Sequence, residues 1–250
     1  MKIGIIGGGW LGTRLGTHLA SYHSIYATTT SQEKQKELEK SYFHSFLVDF
    51  DKFNNQKWEI LAELDCIIIT IPFGKHLSKP IFENRLKNLC FFIENFKKQL
   101  FFTSSVGIYP QINAEIDETC PPTLLQNELL QSENFLKKNF PQLNILRLGG
   151  LMGDNRIFSK YNVSETHLVV NHVHYQDICF IIEKMITLNL HSKIYNIVAP
   201  QHPTKQQVIN FQKRISCQDT NISPQGKIVS SQKVINELGY TFVHPNPILF

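Results

Sequence analysis

Apolar positions along this chain gather in short continuous runs, separated by longer stretches with helical spacing. Lys2 to Ile6 is the first run; it enters Gly7-Gly8-Gly9-Trp10-Leu11-Gly12, and a helical stretch carries on through Leu19 and Ala20. Ser24 to Thr30 reads as a short strand. Ser31 stands ready to cap a charged helix, Gln32 to Ser41, rich in good helix formers. Ser45 to Asp49 reads as a third strand. Cys66 to Pro72 is a continuous β-branched run that suits a central parallel strand covered on both faces, with Pro72 at the end where its missing N–H does little harm. A helix over Asn84 to Lys98, a strand over Gln99 to Ser104, the longest helix over Leu124 to Lys138 and a sixth strand over Asn144 to Leu148 follow.

Strands alternating with helices up to about residue 150 predict an α/β doubly wound parallel sheet, a Rossmann fold, with its ligand over the C-terminal strand ends. Past Gly153 the rhythm changes. A polar segment (Asp154 to Glu165) leads to a strand over Leu168 to Asn171, a helix over Tyr175 to Leu188 and a strand over Ile194 to Val198. Helices over Thr204 to Ile215 and Ser231 to Leu238 end the series. We expect a core over residues 1–153 and a small C-terminal lobe over 154–250, continuous with the core and returning some elements to its sheet.

Composition narrows the classes. Apolar residues make up 42% and charged residues 18%, as in a folded rather than a disordered chain. The excess of 25 basic over 21 acidic residues is too small and too scattered to argue for nucleic acid. Lys97-Lys98 and Lys137-Lys138 fall in helical runs and are expected to face water. Five widely spaced cysteines without a CxxC pair fit neither a disulfide framework nor a zinc knuckle, and no metal site is expected. Met1 leads straight into the first strand, and no apolar run is long enough to span a bilayer, so the expected compartment is the cytoplasm, with no membrane partner.

The glycine turn carries the first chemistry. Gly-x-Gly-x-x-Gly between a strand and a helix is the arrangement of a dinucleotide seat. Gly7 allows the sharp turn, Gly9 lets backbone approach a pyrophosphate, and Gly12 lets the helix pack close to the strand. The N–H groups opening that helix, from Trp10 and Leu11 onward, face the phosphates. NAD sites place a carboxylate at the end of the second strand, where this chain has Thr28, Thr29, Thr30 and Ser31, with Lys34 and Lys36 beyond. Hydroxyls and a lysine tolerate or attract a 2′-phosphate, which leans the cofactor toward NADP over NAD. The other reading of Lys34 and Lys36 is the solvated face of a short helix. Asp49 can accept from the adenine amino group, and Thr70, Ile71, Pro72 and Phe73 would flank adenine and ribose.

Later segments add a likeness. Thr103-Ser104-Ser105-Val106-Gly107-Ile108-Tyr109-Pro110, Asp117 to Pro122, Leu146 to Gly153, Asn171 to Asp177, Tyr195 to Val198 and Glu237 to Tyr240 follow the glycine turn in order. Together they resemble the extended or atypical short-chain dehydrogenase/reductase superfamily, in its nucleoside-diphosphate-sugar epimerase-like branch, over nearly the whole chain. The resemblance implies an NAD(P)-dependent oxidoreductase, epimerase or dehydratase acting on a small polar or nucleotide-sugar-like molecule. It also implies a homodimer through the helix Leu124 to Lys138. Cofactor contacts are expected at Thr103, Ser104, Gly149 and Gly150 as well as around the glycine turn.

Family members pair a Ser or Thr with Tyr-x-x-x-Lys on one helix face. Ser105 matches the serine. Counting back from Glu133, however, Leu129 takes the lysine position and Leu125 the tyrosine position, and no tyrosine lies between Tyr109 and Tyr161. Leucine cannot donate a proton. Ser105 and Tyr109 become the catalytic candidates, with Glu118, Lys160, His172 and His174 as further local groups. The alternative is a non-catalytic NADP(H)-binding sensor or interaction protein. His172 and His174 alternate along an extended segment and point to opposite faces, which argues against a shared metal. Arg147 could anchor an acid within the scaffold or reach an anionic substrate; its apolar strand favours the first. Asp177 is expected to be a structural acceptor near its helix start.

Overall fold

The computed structural model describes residues 1–41, 43–52, 56–74, 77–215 and 225–250. In chain order the elements are β1 (Lys2–Ile6), α1 (Trp10–Leu19), β2 (Ser24–Thr29), α2 (Gln32–Lys40), β3 (His44–Leu47), β4 (Cys66–Ile69), α3 (Lys79–Phe92) and β5 (Gln99–Ser105). Next come β6 (Glu115–Ile116), α4 (Asn127–Asn139), β7 (Asn144–Leu148), β8 (Gly150–Met152), β9 (His172–His174), α5 (Tyr175–Thr187), β10 (Ile194–Ile197), α6 (Lys205–Gln212), β11 (Ile228–Val229) and α7 (Gln232–Leu238). Seven strands form the main sheet in the order β10-β7-β5-β4-β1-β2-β3. Ile3 pairs Cys66 on one side and Ile25 on the other, both parallel. Ile145 and Gly149 donate to Lys193 and Ile197 in constant offset, as parallel neighbours do. The order runs outward in both directions from β1, so the doubly wound expectation holds and a switch point lies between β1 and β4.

The chain forms two compact units. The first comprises Met1–Ser104, Asn127–Leu146 and Glu183–Ile194. Its core is one cluster in which Ile67 and Ile69 of β4 meet Leu86, Leu89 and Phe92 of α3, and Leu136, Phe140 and Leu143 around the end of α4. Gln99 is buried at the start of β5 and donates to the carbonyls of Met185 and Leu190, which satisfies an amide that would otherwise be costly there. The second unit comprises Ser105–Gln126, Arg147–Ile182 and Tyr195–Phe250. It holds two short parallel ladders, β6 with β11 and β8 with β9. Asp177 accepts from Tyr240 Oη and from the amides of Val243 and His244, the structural role its position suggested.

Several boundaries differ from the sequence pattern for identifiable reasons. β3 begins at His44 and stops at Leu47, because the chain turns at Asp49, whose carboxylate takes the Asp51 amide. β4 ends at Ile69, leaving Thr70, Ile71 and Pro72 beyond the strand. α3 starts at Lys79 behind Ser78, with a proline in its first turn, and stops before Asn95, which has φ 68. Lys97-Lys98 therefore lies outside a helix, and Lys98 pairs with Asp65 at 3.3 Å. Pro121 and Pro122 delay α4 to Asn127, so α3 at 14 residues is longer than α4 at 13. The strand expected over Leu168 to Asn171 forms instead as β9; Leu168 and Val169 make only isolated bridges. α6 ends at Gln212, ahead of Arg214 with φ 56.

Candidate functional site

The switch point opens into a cleft of about 670 Å³ within the first unit. Gly7, Gly9, Trp10, Leu11, Gly12, Thr29, Thr30, Lys34, Asp49, Thr70, Ile71 and Pro72, all marked by the sequence, line this one cleft. The glycine turn is built against both neighbouring strand ends. Gly7 N donates to Thr28 Oγ1 at 3.1 Å and Gly8 N to the Thr28 carbonyl at 2.7 Å. Thr70 Oγ1 donates to the Gly7 carbonyl at 2.6 Å.

The three motif glycines differ in what requires them. Gly7 has φ +109, and a Cβ there would lie 2.9 Å from Thr70 Oγ1 and Ile71 Cγ2. At Gly12 a Cβ would lie 2.0 Å from the Gly7 carbonyl oxygen, an overlap that only glycine avoids. At Gly9, φ is −76 and a Cβ would meet nothing within 4 Å. The fold thus explains Gly7 and Gly12 and leaves Gly9 unexplained. Gly9 is the N-cap of α1, where the first N–H groups have no intrahelical partner. Space beside a bare backbone at a helix start fits an anionic group.

The ribose side is polar. Ser31 Oγ accepts from Lys34 N at 3.3 Å, the predicted cap, and Thr29 Oγ1 accepts from Ser31 N at 3.4 Å. Lys34 Nζ reaches Glu37 at 2.9 Å, a solvent-screened pair of small net strength. Asp49 uses one carboxylate oxygen on the Asp51 amide and has Lys52 at 3.3 Å. Six lining residues were not marked by the sequence: Thr13, Arg14, Val48, Phe50, Asp51 and Arg85. Arg14 lies over the Trp10 ring at 3.9 Å and donates to the Trp10 carbonyl, a contact that the i, i+4 spacing could have suggested. Arg85 grips Asp51 and holds its carboxyl below the usual range. Their separation in sequence leaves no local signal.

Thr103 and Ser104 belong to the first unit but are not among the cleft's lining residues. Thr103 donates to the Ile69 carbonyl at 3.2 Å, and buried Ser104 donates to Glu133 Oε1 at 2.6 Å. Leu129 is buried in α4.

The remaining candidates lie in the second unit. Ser105 Oγ accepts from Gly107 N at 3.0 Å and caps the turn Val106–Ile108. Tyr109 closes that turn with its phenol buried, donating to Asn196 Oδ1 at 2.8 Å and accepting from Arg147 at 2.9 Å. Burial pushes the Tyr109 pKa up despite the Arg147 guanidinium. Lys227, itself buried, donates to the carbonyls of Val106 and Tyr109, both at 3.0 Å. The Glu118 carboxyl accepts from Asn196 N, and burial raises its pKa. Lys160 is exposed at the end of a short turn. Gly149 and Gly150 serve β9: a Cβ would lie 2.6 Å from the Asn171 carbonyl oxygen and 2.4 Å from His172 Nε2, respectively. His172 stacks near Phe158 and His174 on His244, in separate surroundings as the alternation implied. Among the described residues no group of His, Cys, Asp or Glu could hold a metal ion, and no helix is long and apolar enough to cross a membrane.

No family profile matches the chain. Protein YeeZ of Escherichia coli (strain K12) is 26% identical over 271 residues, covering 99% of this chain and 98% of YeeZ. Among solved structures, yeast methylglyoxal/isovaleraldehyde reductase complexed with NADPH superimposes with a TM-score of 0.74 at 13% identity, over 97% of this chain and 93% of that one. UDP-glucuronic acid 4-epimerase from Bacillus cereus in complex with NAD gives 0.72 at 16%, over 97% and 94%. At such identities the likeness fixes the architecture: this chain has the doubly wound fold of the epimerase and reductase structures it superimposes on.

Proposed function

We propose that the chain binds NAD(P)(H) in the cleft and acts as an oxidoreductase or epimerase-like enzyme on a small polar or nucleotide-sugar-like substrate. Gly9 carries this reading, because the fold gives no other reason for a glycine at an open helix start. The NAD and NADPH of the two superimposed structures support it. The backbone from Gly7 to Gly12 would hold the pyrophosphate. Thr29, Thr30 and Lys34 would meet the adenine ribose and its 2′-phosphate, while Asp49, Thr70, Ile71 and Pro72 flank the base. Thr103 and Ser104 would act as supports toward the nicotinamide end.

A bound dinucleotide supplies the hydride chemistry, and the chain supplies position and protons. Tyr109 is poorly suited to give up a proton, since its phenol is buried and already bonded on both sides. It positions the turn that Ser105 heads. The Ser105 hydroxyl accepts one bond and retains a proton to donate.

Calorimetric titration with NAD(H) and NADP(H) tests the reading. Saturable binding well below millimolar is expected, tighter for NADP(H). Lys34→Glu should weaken NADP(H) about tenfold and leave NAD(H) nearly unchanged, as a charge reversal beside a phosphate would. No binding of any of the four overturns the proposal.

A further inference from the structure

One wall of the cleft is braced in a way the glycine turn does not need. Val48, Phe50 and Asp51 follow β3, and Ile71 and Pro72 follow β4. Arg85 reaches from α3 to both segments. Its Nε donates to Asp51 Oδ1 at 2.6 Å, its Nη2 to Asp51 Oδ2 at 2.7 Å, and its Nη1 to the Pro72 carbonyl. One turn along α3, Asn88 donates to the carbonyls of Phe50 and Lys52, each at 2.8 Å, so the wall is fixed in two places. A planar cation held along its edges has little left to offer an incoming phosphate: Asp51 balances its charge, and its nitrogens are engaged. What remains is its flat face. The Phe73 ring lies 5.9 Å from the guanidinium carbon, and Arg85 itself lines the cleft, as do Val48, Phe50, Ile71 and Pro72. A clamped guanidinium in a cleft wall that also carries Phe50, Ile71 and Pro72 suits a flat π-system, because stacking needs a face and no free donor.

The geometry points to Arg85 as the platform on which the adenine ring of an adenine nucleotide lies, with Asp51 as the residue that sets its plane. The inference rests on the dinucleotide reading and adds to it the residue that recognises the base. NMR of the Arg85 Nε–H signal in the intact protein tests it directly. Addition of ADP should move that proton upfield through the adenine ring current, while inorganic pyrophosphate should not. Arg85→Lys, which keeps the charge and loses the plane, should weaken ADP binding about tenfold without changing the response to pyrophosphate, in line with the strength of base stacking. If the variant fails to fold, the wild-type spectrum decides. ADP binding that leaves the Arg85 signal in place overturns the platform, as does an equal shift with pyrophosphate. Wild-type protein that binds NADP(H) but shows neither effect loses only the platform; protein that binds neither ADP nor any dinucleotide loses the dinucleotide reading with it.

Discussion

Gly9 and Gly12 belong to the same motif but answer to different demands, and that difference can be measured. Gly12→Ala drives a methyl group into the Gly7 carbonyl and should destabilise the fold by about 2 kcal/mol or more. Gly9→Ala places its methyl in open space at an ordinary φ and should leave stability within about 0.5 kcal/mol of the parent. Gly9→Ala should cost dinucleotide affinity about tenfold with folding intact, whereas Gly12→Ala should lose affinity and stability together. Urea unfolding and calorimetry on the two variants separate these effects; equal losses of stability would make Gly9 a folding residue. The motif was legible because its three glycines sit between a strand and a helix. Which glycine serves the fold and which faces open space was not, since Gly7 meets Thr70 and Ile71, far along the chain, and Gly12 meets the Gly7 carbonyl only in the folded turn. Arg85 was invisible for the same reason: its partner Asp51 lies 34 residues away.

Among the elements, β9 shows how register turns sequence into acid sensitivity. Its pairing with β8 places Gly150 opposite His172 and Met152 opposite His174. Burial lowers the pKa of His172 to about 4. Burial, then the neighbouring His244, lowers His174 to about 4, against the opposing pull of Asp177 and Asp154. An unfolded histidine takes its proton near pH 6.5, whereas these two remain neutral in the folded chain until about pH 4. The unfolded state then binds more protons across that window, so stability is full above pH 6.5 and falls as the pH drops toward 4. Each histidine contributes a loss on the order of 3 kcal/mol at the lower end. Melting temperature measured between pH 7 and 4 should fall steeply, and His174→Asn should flatten the slope; an unchanged slope would contradict the assignment. The β-branched run of β4 announced itself in the sequence. β9 did not, because its start is fixed by the ladder to Gly150 and by no apolar run of its own.

For the chain as a whole, a ligand bound only by the folded state must raise the melting temperature with its concentration. At one hundred times its dissociation constant the gain is about 2.7 kcal/mol. For a protein of this length that corresponds to a rise of about 5–10 °C. NADP(H) should produce it in a thermal melt, and Gly9→Ala should need roughly tenfold more cofactor for the same shift. The doubly wound order was legible in the alternation of strands and helices. Which late element closes the sheet was less so, because β10 pairs with β7 across a long stretch that leaves no local mark.

That late pairing has a bearing on how the chain is made. β7 is buried along its whole length in the finished fold, yet during synthesis its outer edge waits for β10. At ordinary translation rates the interval from Leu148 to Ile197 lasts roughly 2–10 s. For that time Ile145, Leu146 and Leu148 border an open hydrogen-bonding edge, the kind of strand that recruits other chains. The yield of this protein in a cell thus depends on how quickly the ribosome delivers β10, or on what shields that edge until it arrives.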